Sequence, residues 1–194
     1  MTQPFFSIIV PTFNRPARLL ECVSSLERLH YPRDRFELII ANDGWDSPTE
    51  NDLSNSAGGI NFTIVSLPHR GPAAARNRAV RESIGMYLAF IDDDCTADSQ
   101  WLARMETFFG AHPDALAGGK TLNSLGSNVY SEASQALIDY LYGYYDGTTA
   151  EREQFFASNN MAVSAERFKD LGGFDESYGR AAAEDRDFCE RWRQ

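Results

Sequence analysis

Three consecutive aspartates, Asp92-Asp93-Asp94, follow directly on the apolar run Met86-Tyr87-Leu88-Ala89-Phe90-Ile91. Carboxylates are hard oxygen donors suited to magnesium or manganese, and such ions are often held by only one or two carboxylates while substrate phosphates complete the shell. Alternate residues of an extended segment point the same way, which predicts that Asp92 and Asp94 share a side and Asp93 faces away. The same triplet also suits a solvated acidic turn that caps a helix starting near Asp98 or Ser99.

A second segment, His69-Arg70-Gly71-Pro72-Ala73-Ala74-Ala75-Arg76-Asn77-Arg78, is the one basic island in a chain of net charge −10. Gly-Pro followed by small residues opens a helix whose free N–H groups favour a phosphate. Ala73, Asn77, Val80 and Ile84 form one stripe along that helix, which puts Asn77 on the core side with Arg76 beside it. Buried polar groups need partners, so these two are expected to meet a strand end or a ligand. The plainer reading has Arg78 pairing with Glu82 on the surface and Arg76 bridging to a carboxylate at the core edge. Asn42-Asp43-Gly44 reads first as a tight turn; a carboxylate at a strand end also accepts the imide N–H of a pyrimidine. Further on come Ser158-Asn159-Asn160-Met161-Ala162-Val163, Gly172-Gly173-Phe174-Asp175-Glu176 and Glu184-Asp185-Arg186-Asp187. Acidic residues suit a helix start through its dipole. Alternatively one of them is a general base, with the glycine-rich stretch free to close over a substrate.

The elements that must position these residues alternate. Phe5–Val10 reads as a strand, followed by a loop and a helix bearing Leu19, Leu20, Val23, Leu26 and Leu29 at helical spacing, with Pro16 in its first turn. Phe36–Ala41 is the next strand, ended by the Asn-Asp-Gly turn signal. A helix near 48–57, a strand at 61–67, a helix at 72–84, a strand at 86–91 and a helix at 99–110 continue the theme, and the short apolar segment 115–117 leads to Gly118-Gly119. Near-continuous apolar strands alternating with amphipathic helices predict an α/β protein with a mainly parallel central sheet covered on both faces. Ligands of such sheets bind off the carboxyl ends of the strands, where residues 11–15, 42–46 and 92–95 all fall. Beyond residue 120 the alternation breaks. One helix is expected near 130–142, and Tyr140, Leu141, Tyr142, Tyr144 and Tyr145 either pack across it or offer a sticky surface to a lipid-linked acceptor or partner.

At 194 residues, 43% hydrophobic and 24% charged, the chain suits one domain with a substantial core. Its acidic balance argues against wide contact with nucleic acid or an anionic membrane, which need a large basic surface. Cys22, Cys95 and Cys189 are odd in number, scattered and without zinc-like spacing, so a reduced, cytoplasmic chain without a disulfide framework is expected. No transmembrane segment is expected, because no run of about 18 apolar residues occurs. The first strand is not followed by Gly-x-Gly-x-x-Gly, which disfavours a dinucleotide oxidoreductase.

Taken in order, Val10-Pro11-Thr12-Phe13-Asn14-Arg15, Asn42-Asp43-Gly44, Ala75-Arg76-Asn77, Phe90-Ile91-Asp92-Asp93-Asp94, Gly172-Gly173-Phe174-Asp175-Glu176 and Glu184-Asp185 resemble glycosyltransferase family 2 over nearly the whole chain. That resemblance implies a single-domain GT-A (Rossmann-like) fold, with a nucleotide-sugar-binding half at 1–120 and an acceptor-side half at 121–194. The implied activity is inverting transfer from a nucleotide sugar, UDP-sugar preferred because Asp43 suits uracil, to a saccharide or lipid-linked saccharide hydroxyl. Pro11, Thr12 and Asn14 with Asp43 would line the nucleobase pocket, and Arg15 and Arg76 would approach the base or diphosphate. The triplet resembles the family's Asp-x-Asp motif. Asp92 would lie near the ribose with Asp93 beside it, and Asp94, with Asp92, would bind Mn2+ or Mg2+. Asp185 would be the catalytic base, with Glu184 orienting it or the acceptor. Asn159, Asn160, Gly173, Phe174 and Asp175 would shape the sugar and acceptor side. The family implies a protein that works in the cytoplasm, in possible peripheral contact with the membrane.

Two departures from the family pattern stand out. The chain stops within a helical pattern containing Phe188 and Trp192, before the point where relatives place a metal-binding histidine, so either an incomplete coordination shell or a part of a longer enzyme is expected. Trp45 stands after Asn42-Asp43-Gly44, where relatives usually carry a small polar residue. The alternative from another class is a non-catalytic nucleotide-sugar-binding domain.

Overall fold

The computed structural model describes residues 5–46, 50–145, 155–178 and 183–194. Six strands form one sheet: β1 (Phe6–Thr12), β2 (Phe36–Asn42), β3 (Phe62–Ser66), β4 (Tyr87–Ile91), β5 (Ala117–Gly118) and β6 (Asn160–Ser164), in the order β3-β2-β1-β4-β6-β5. The first four run parallel, whereas β6 is antiparallel to both β4 and β5. Among the described residues seven α-helices accompany them: α1 (Pro16–Glu27), α2 (Glu50–Ala57), α3 (Pro72–Val80), α4 (Trp101–Ala111), α5 (Val129–Tyr145), α6 (Ala165–Asp170) and α7 (Glu184–Arg193).

The period of two along each strand sorts the core into two layers. Phe6, Ile8 and Val10 of β1 and Leu38 and Ile40 of β2 turn to the side of α1, α2 and α4, where they meet Leu19, Val23, Leu53 and Leu102. Ile9, Ile39, Leu88 and Phe90 turn to the opposite face, against Ala75 and Ala79 of α3, Phe168 of α6 and Phe188 of α7. All seven residues of β1 and of β2 are buried, as a parallel sheet covered on both faces requires.

The expected alternation of the first half is present, with one difference there and two further on. The helix from Pro72 stops at Val80 rather than continuing to residue 84, so Ile84 leaves the stripe and stands exposed. The cause is a buried polar clamp. Glu37 Oε1 accepts from Ser7 Oγ at 2.5 Å and from the Ile84 N–H at 2.8 Å, and the Gly85 N–H donates to Ser7 Oγ at 2.8 Å. A Cβ on Gly85 would lie 2.5 Å from the Ser7 nitrogen, so only glycine lets the chain turn here into β4. Strand β6, Asn160–Ser164, overlaps residues 158–163, which the sequence offers only as a candidate site segment, and the short segment at 117 pairs with it. Helix α6 was not expected at all; Ser164 caps it by accepting from the Arg167 N–H. The helix expected near 130–142 spans Val129–Tyr145, with Tyr140 exposed. The side chains of Leu141, Tyr142, Tyr144 and Tyr145 lie outside the described residues. No helix among them is long and apolar enough to cross a membrane.

Candidate active site

β1 pairs with β2 as far as Thr12↔Asn42, but its pairing with β4 ends at Ile9↔Phe90. Beyond that point β1 and β4 part, at the place where the strand order reverses direction, and open doubly wound sheets bind their ligands in such a crevice. Pro11, which has no N–H to donate, sits just past the last β1–β4 pair, where none is needed.

Each strand end delivers its residues to this crevice. From β1, Thr12 Oγ1 donates to Asp93 Oδ2 at 2.7 Å, and Arg15 Nη1 lies 2.9 Å from Asp94 Oδ2 and 3.3 Å from Asp93 Oδ1. Asn14 takes a left-handed backbone (φ 52), which asparagine tolerates better than most residues. Its Oδ1 accepts from the N–H groups of Trp45 and Asp46, both at 3.0 Å, tying the loop after β2 to the loop after β1. A Cβ on Gly44 would meet that same oxygen at 2.3 Å, so the glycine of Asn-Asp-Gly serves this close approach. From β2, Asp43 is buried and takes the Arg70 and Gly71 N–H groups on its two oxygens, each at 2.7 Å. It thereby fixes the basic segment ahead of α3. Phe13 stacks on His69 with centroids 4.4 Å apart, and Trp45, 81% exposed, stands edge-on to Phe13 at 5.6 Å.

Arg76 of α3 is 3% exposed and joins two distant parts of the chain: Nη2 donates to Asp92 Oδ1 at 2.7 Å, and Nη1 donates to Glu184 Oε1, 108 residues further on than the arginine, at 3.0 Å. Its Nε has no partner among the described residues. Asn77, beside it, grips the backbone of Phe174, Nδ2 donating to the carbonyl at 2.7 Å and Oδ1 accepting from the N–H at 3.0 Å. Both expectations for this helix are met at once, since Arg78 also pairs with Glu82.

At the far side, α7 opens with Ala183 in a left-handed conformation (φ 79) followed by Glu184 and Asp185. Asp185 Oδ2 accepts from the Ser158 N–H at 3.2 Å and Oδ1 from the Arg186 N–H at 2.9 Å. Burial, and then the charge of Glu184, push the Asp185 carboxyl above the usual range, against the lowering effect of those two hydrogen bonds and Arg76. Burial likewise raises Asp93, with Thr12 and Arg15 pulling the other way and its neighbours Asp94 and Asp92 adding to the rise.

Asp92, Asp93, Asp94, Thr12, Arg15, Arg76 and Glu184 are thus linked by direct contacts, and Ser158 brings Asp185 to the start of β6. Asn160 opens that strand opposite Ile91, with its Oδ1 accepting from Trp101 Nε1 at 2.9 Å. The glycine-rich stretch departs from expectation in part. Phe174 is buried among Phe90, Phe168 and Phe188, and its ring lies 5.8 Å beneath the Arg76 guanidinium, so it supports the crevice from within the core. Gly173 (φ 73) lies against Asn77, whose Oδ1 a Cβ would meet at 2.6 Å. Asp175 is exposed and caps the turn at Ser177, whose hydrogen bonds hold its carboxyl low.

The acidic triplet has the donor chemistry for a hard dication. Asp92 and Asp94 keep 33% and 49% of their side chains open, and one arginine is within 4 Å of each. Among the described residues no three His, Cys, Asp or Glu side chains gather into a cage.

Two solved structures share this architecture. The crystal structure of S. aureus TarS 1-349 superposes with a TM-score of 0.72 at 20% identity, over 97% of this chain and 55% of that one. Mannosyltransferase PcManGT from Pyrobaculum calidifontis, in complex with GDP-Man and Mn2+, gives 0.73 at 19% identity, over 97% of this chain and 51% of that one. The fold is therefore GT-A, with one mixed, mostly parallel sheet. The model of the family described as Glycosyl transferase family 2 matches residues 7–172, and the chain belongs to that family. Glycosyltransferase AglE of Haloferax volcanii is 26% identical over 167 residues, 84% of this chain and 48% of AglE. The chain spans about half the length of that relative.

Proposed function

We propose that this chain forms the catalytic domain of an inverting glycosyltransferase that moves a sugar from a nucleoside-diphosphate sugar to an acceptor hydroxyl. One observation carries the reading. The buried Arg76 binds Asp92 of the triplet and Glu184, the neighbour of Asp185, so that the carboxylate triplet and a candidate base share one crevice.

Asp185 takes the proton of the acceptor hydroxyl while that oxygen attacks the anomeric carbon. The bond from that carbon to the diphosphate oxygen breaks on the opposite side, the electron pair leaves with the nucleotide, and the configuration inverts. A raised carboxyl pKa makes Asp185 a better proton acceptor than a solvated aspartate. Glu184 and Arg76 hold α7 and β4 in register. Asp92 and Asp94 would hold a divalent cation, Mn2+ or Mg2+, which supplies positive charge against the leaving diphosphate. Thr12 and Arg15 fix the triplet beside them. Pro11, Asn14 and Asp43 would line the nucleobase side, and Asn160 the acceptor side.

A UDP-sugar is the preferred donor. Each Asp43 oxygen accepts one loop N–H and, as a carboxylate oxygen, has a further lone pair with which to accept the imide N–H of uracil. TarS is known in complex with UDP-GlcNAc, and PcManGT with GDP-Man and Mn2+. The acceptor is a saccharide or a lipid-linked saccharide. We place the protein in the cytoplasm, in peripheral contact with the membrane where the acceptor is lipid-linked; Cys22, Cys95 and Cys189 are all unpaired, as suits a reducing compartment.

A thermal-shift screen of UDP, GDP and their sugars with and without manganese tests the donor, because a ligand bound only by the folded state raises the melting point. The transferase reading expects a metal-dependent shift and product release by the parent chain. Absence of any shift removes the reading, and a shift without transfer leaves a nucleotide-sugar-binding domain.

A further inference from the structure

The loop after β2 carries a large aromatic side chain that the fold does not bury. Trp45 is 81% exposed, so its indole adds little to the core. Single exposed aromatics are ordinary on a surface. This one differs because both its backbone and its ring are held. The Trp45 N–H donates to Asn14 Oδ1 at 3.0 Å, an approach that depends on Gly44. The ring stands edge-on to Phe13, with centroids 5.6 Å apart and planes at 79°, and edge-on to His69 at 6.4 Å and 67°. His69 in turn lies on Phe13, the two planes only 29° apart. Two nearly parallel rings and a third standing across them make an aromatic corner.

Asp43 belongs to the same corner. Its Oδ2 lies 3.7 Å from His69 Nδ1, and Gly44 alone separates it from Trp45 in the chain. A buried carboxylate with acceptor capacity left over and an exposed, oriented aromatic ring are thus held side by side by one loop. That pairing suits a flat ring with an N–H on its edge, which is the chemistry of a nucleobase. Phe13 offers less, because His69 covers one of its faces at 4.4 Å. An indole already fixed in place also loses little freedom when a ligand settles on it. Neither core packing nor the residues the resemblance implies for the nucleobase pocket, Pro11, Thr12, Asn14 and Asp43, account for this side chain.

We propose that Trp45 is a donor-binding residue whose indole face stacks on the nucleobase while Asp43 takes the N–H at the base's edge. The proposal rests on the transferase reading and adds a division of roles to it. The indole supplies affinity that any base can use, since every base has a π-face, and Asp43 supplies the choice among bases.

Calorimetric titration of the whole chain in saturating Mn2+ tests it, with UDP and GDP as probes and pyrophosphate as the probe that lacks a base. Trp45→Ser should bind the nucleotides about 5- to 150-fold more weakly, the loss that goes with one base–aromatic stack. Its pyrophosphate affinity and melting point should be unchanged, because the ring lies outside the core. Trp45→Tyr, which keeps a flat ring, should recover most of the loss. In the parent, nucleotide should quench tryptophan emission beyond the level that pyrophosphate gives at the same Mn2+ concentration, and Trp45→Tyr should lack that extra quench. The proposal is overturned by nucleotide affinity unchanged in Trp45→Ser, by pyrophosphate weakening in parallel, by Trp45→Tyr binding no better than Trp45→Ser, or by an extra quench that is absent from the parent or survives in Trp45→Tyr. Any of these with nucleotide still bound by the parent leaves the transferase reading standing, whereas a parent that binds neither nucleotide sinks both.

Discussion

Arg15 stands where a cation is wanted. Its Nη1 lies 2.9 Å from Asp94 and 3.3 Å from Asp93, and both the arginine and Asp94 are about half exposed (51% and 49%). A dication entering the triplet must take Asp94 away from this guanidinium. An ion pair with that exposure is worth about 0.2–1 kcal/mol. Removing the competitor with Arg15→Gln should therefore tighten nucleotide-free Mn2+ binding by roughly 1.4- to 5-fold, since a factor of ten corresponds to about 1.4 kcal/mol.

On the proposed transferase reading, the freed guanidinium also has a second task. Once displaced from Asp94 it is placed to donate to a donor phosphate, and a hydrogen bond to a charged group contributes about 1.5–3 kcal/mol. Arg15→Gln should then bind UDP in the presence of saturating Mn2+ at least about 10-fold more weakly. The two constants move in opposite directions, which no general loosening of the fold would produce. Free Mn2+ measured by electron paramagnetic resonance gives the first, and calorimetric UDP titration gives the second. Unchanged or weaker Mn2+ binding in Arg15→Gln would refute the competition.

Asp185→Asn should lower transfer by about 10²–10⁴-fold with the UDP-induced thermal shift intact, as loss of a general base does. The parent's rate should fall as pH drops through the burial-raised Asp185 pKa, an acid limb above the ordinary carboxylate range that the variant lacks. Asp93 has a folded pKa raised by burial, so its contribution to stability is present below the unfolded carboxyl value and lost as pH rises through the folded one. Asp93→Asn, which keeps an acceptor for Thr12, should accordingly raise Tm at pH 7 and leave it unchanged near pH 3. Arg76→Met strands the buried Glu184, a change that typically costs about 3–5 kcal/mol, and adding Glu184→Gln should recover part of the lost Tm. Gly118→Ala drives a methyl into the Phe156 ring; overpacking of about 1–3 kcal/mol should lower Tm by roughly 2–12 °C for a domain of this size.

What the sequence revealed depended on distance along the chain. The strands, the helix starts and the placing of the triplet at the end of β4 were legible, because apolar period, Gly-Pro and Asn-Asp-Gly act over a turn or two. The partners across the crevice were not. Thr12 meets Asp93 over 81 residues, Asn77 meets Phe174 over 97 and Arg76 meets Glu184 over 108, and spacing within an element says nothing of what faces it. The end of α3 was misjudged for the same reason, since Glu37, 47 residues upstream of Ile84, stops it. Strand β6 escaped notice because it begins with a polar asparagine and only Met161, Ala162 and Val163 are buried in it.

The resemblance placed Phe174 on the substrate side, and the structure puts it in the core, where its ring supports Arg76. That displacement bears on how the crevice accepts an anion. Asp43, Asp92, Asp93, Asp94, Glu184 and Asp185 gather at the strand ends, and the cations within 4 Å of the triplet, Arg15 and Arg76, are already engaged by it. With Arg76 braced from below by Phe174 and held on both sides by carboxylates, it is not free to turn toward a diphosphate. Arg15, half exposed and on a loop, is the one of the two that can move. On the proposed transferase reading, an acidic crevice built this way would attract a diphosphate only after a dication has joined it. On the same reading, that charge arrangement makes donor binding conditional on the metal, and it predicts that UDP without manganese binds more weakly as ionic strength falls, when repulsion is least screened.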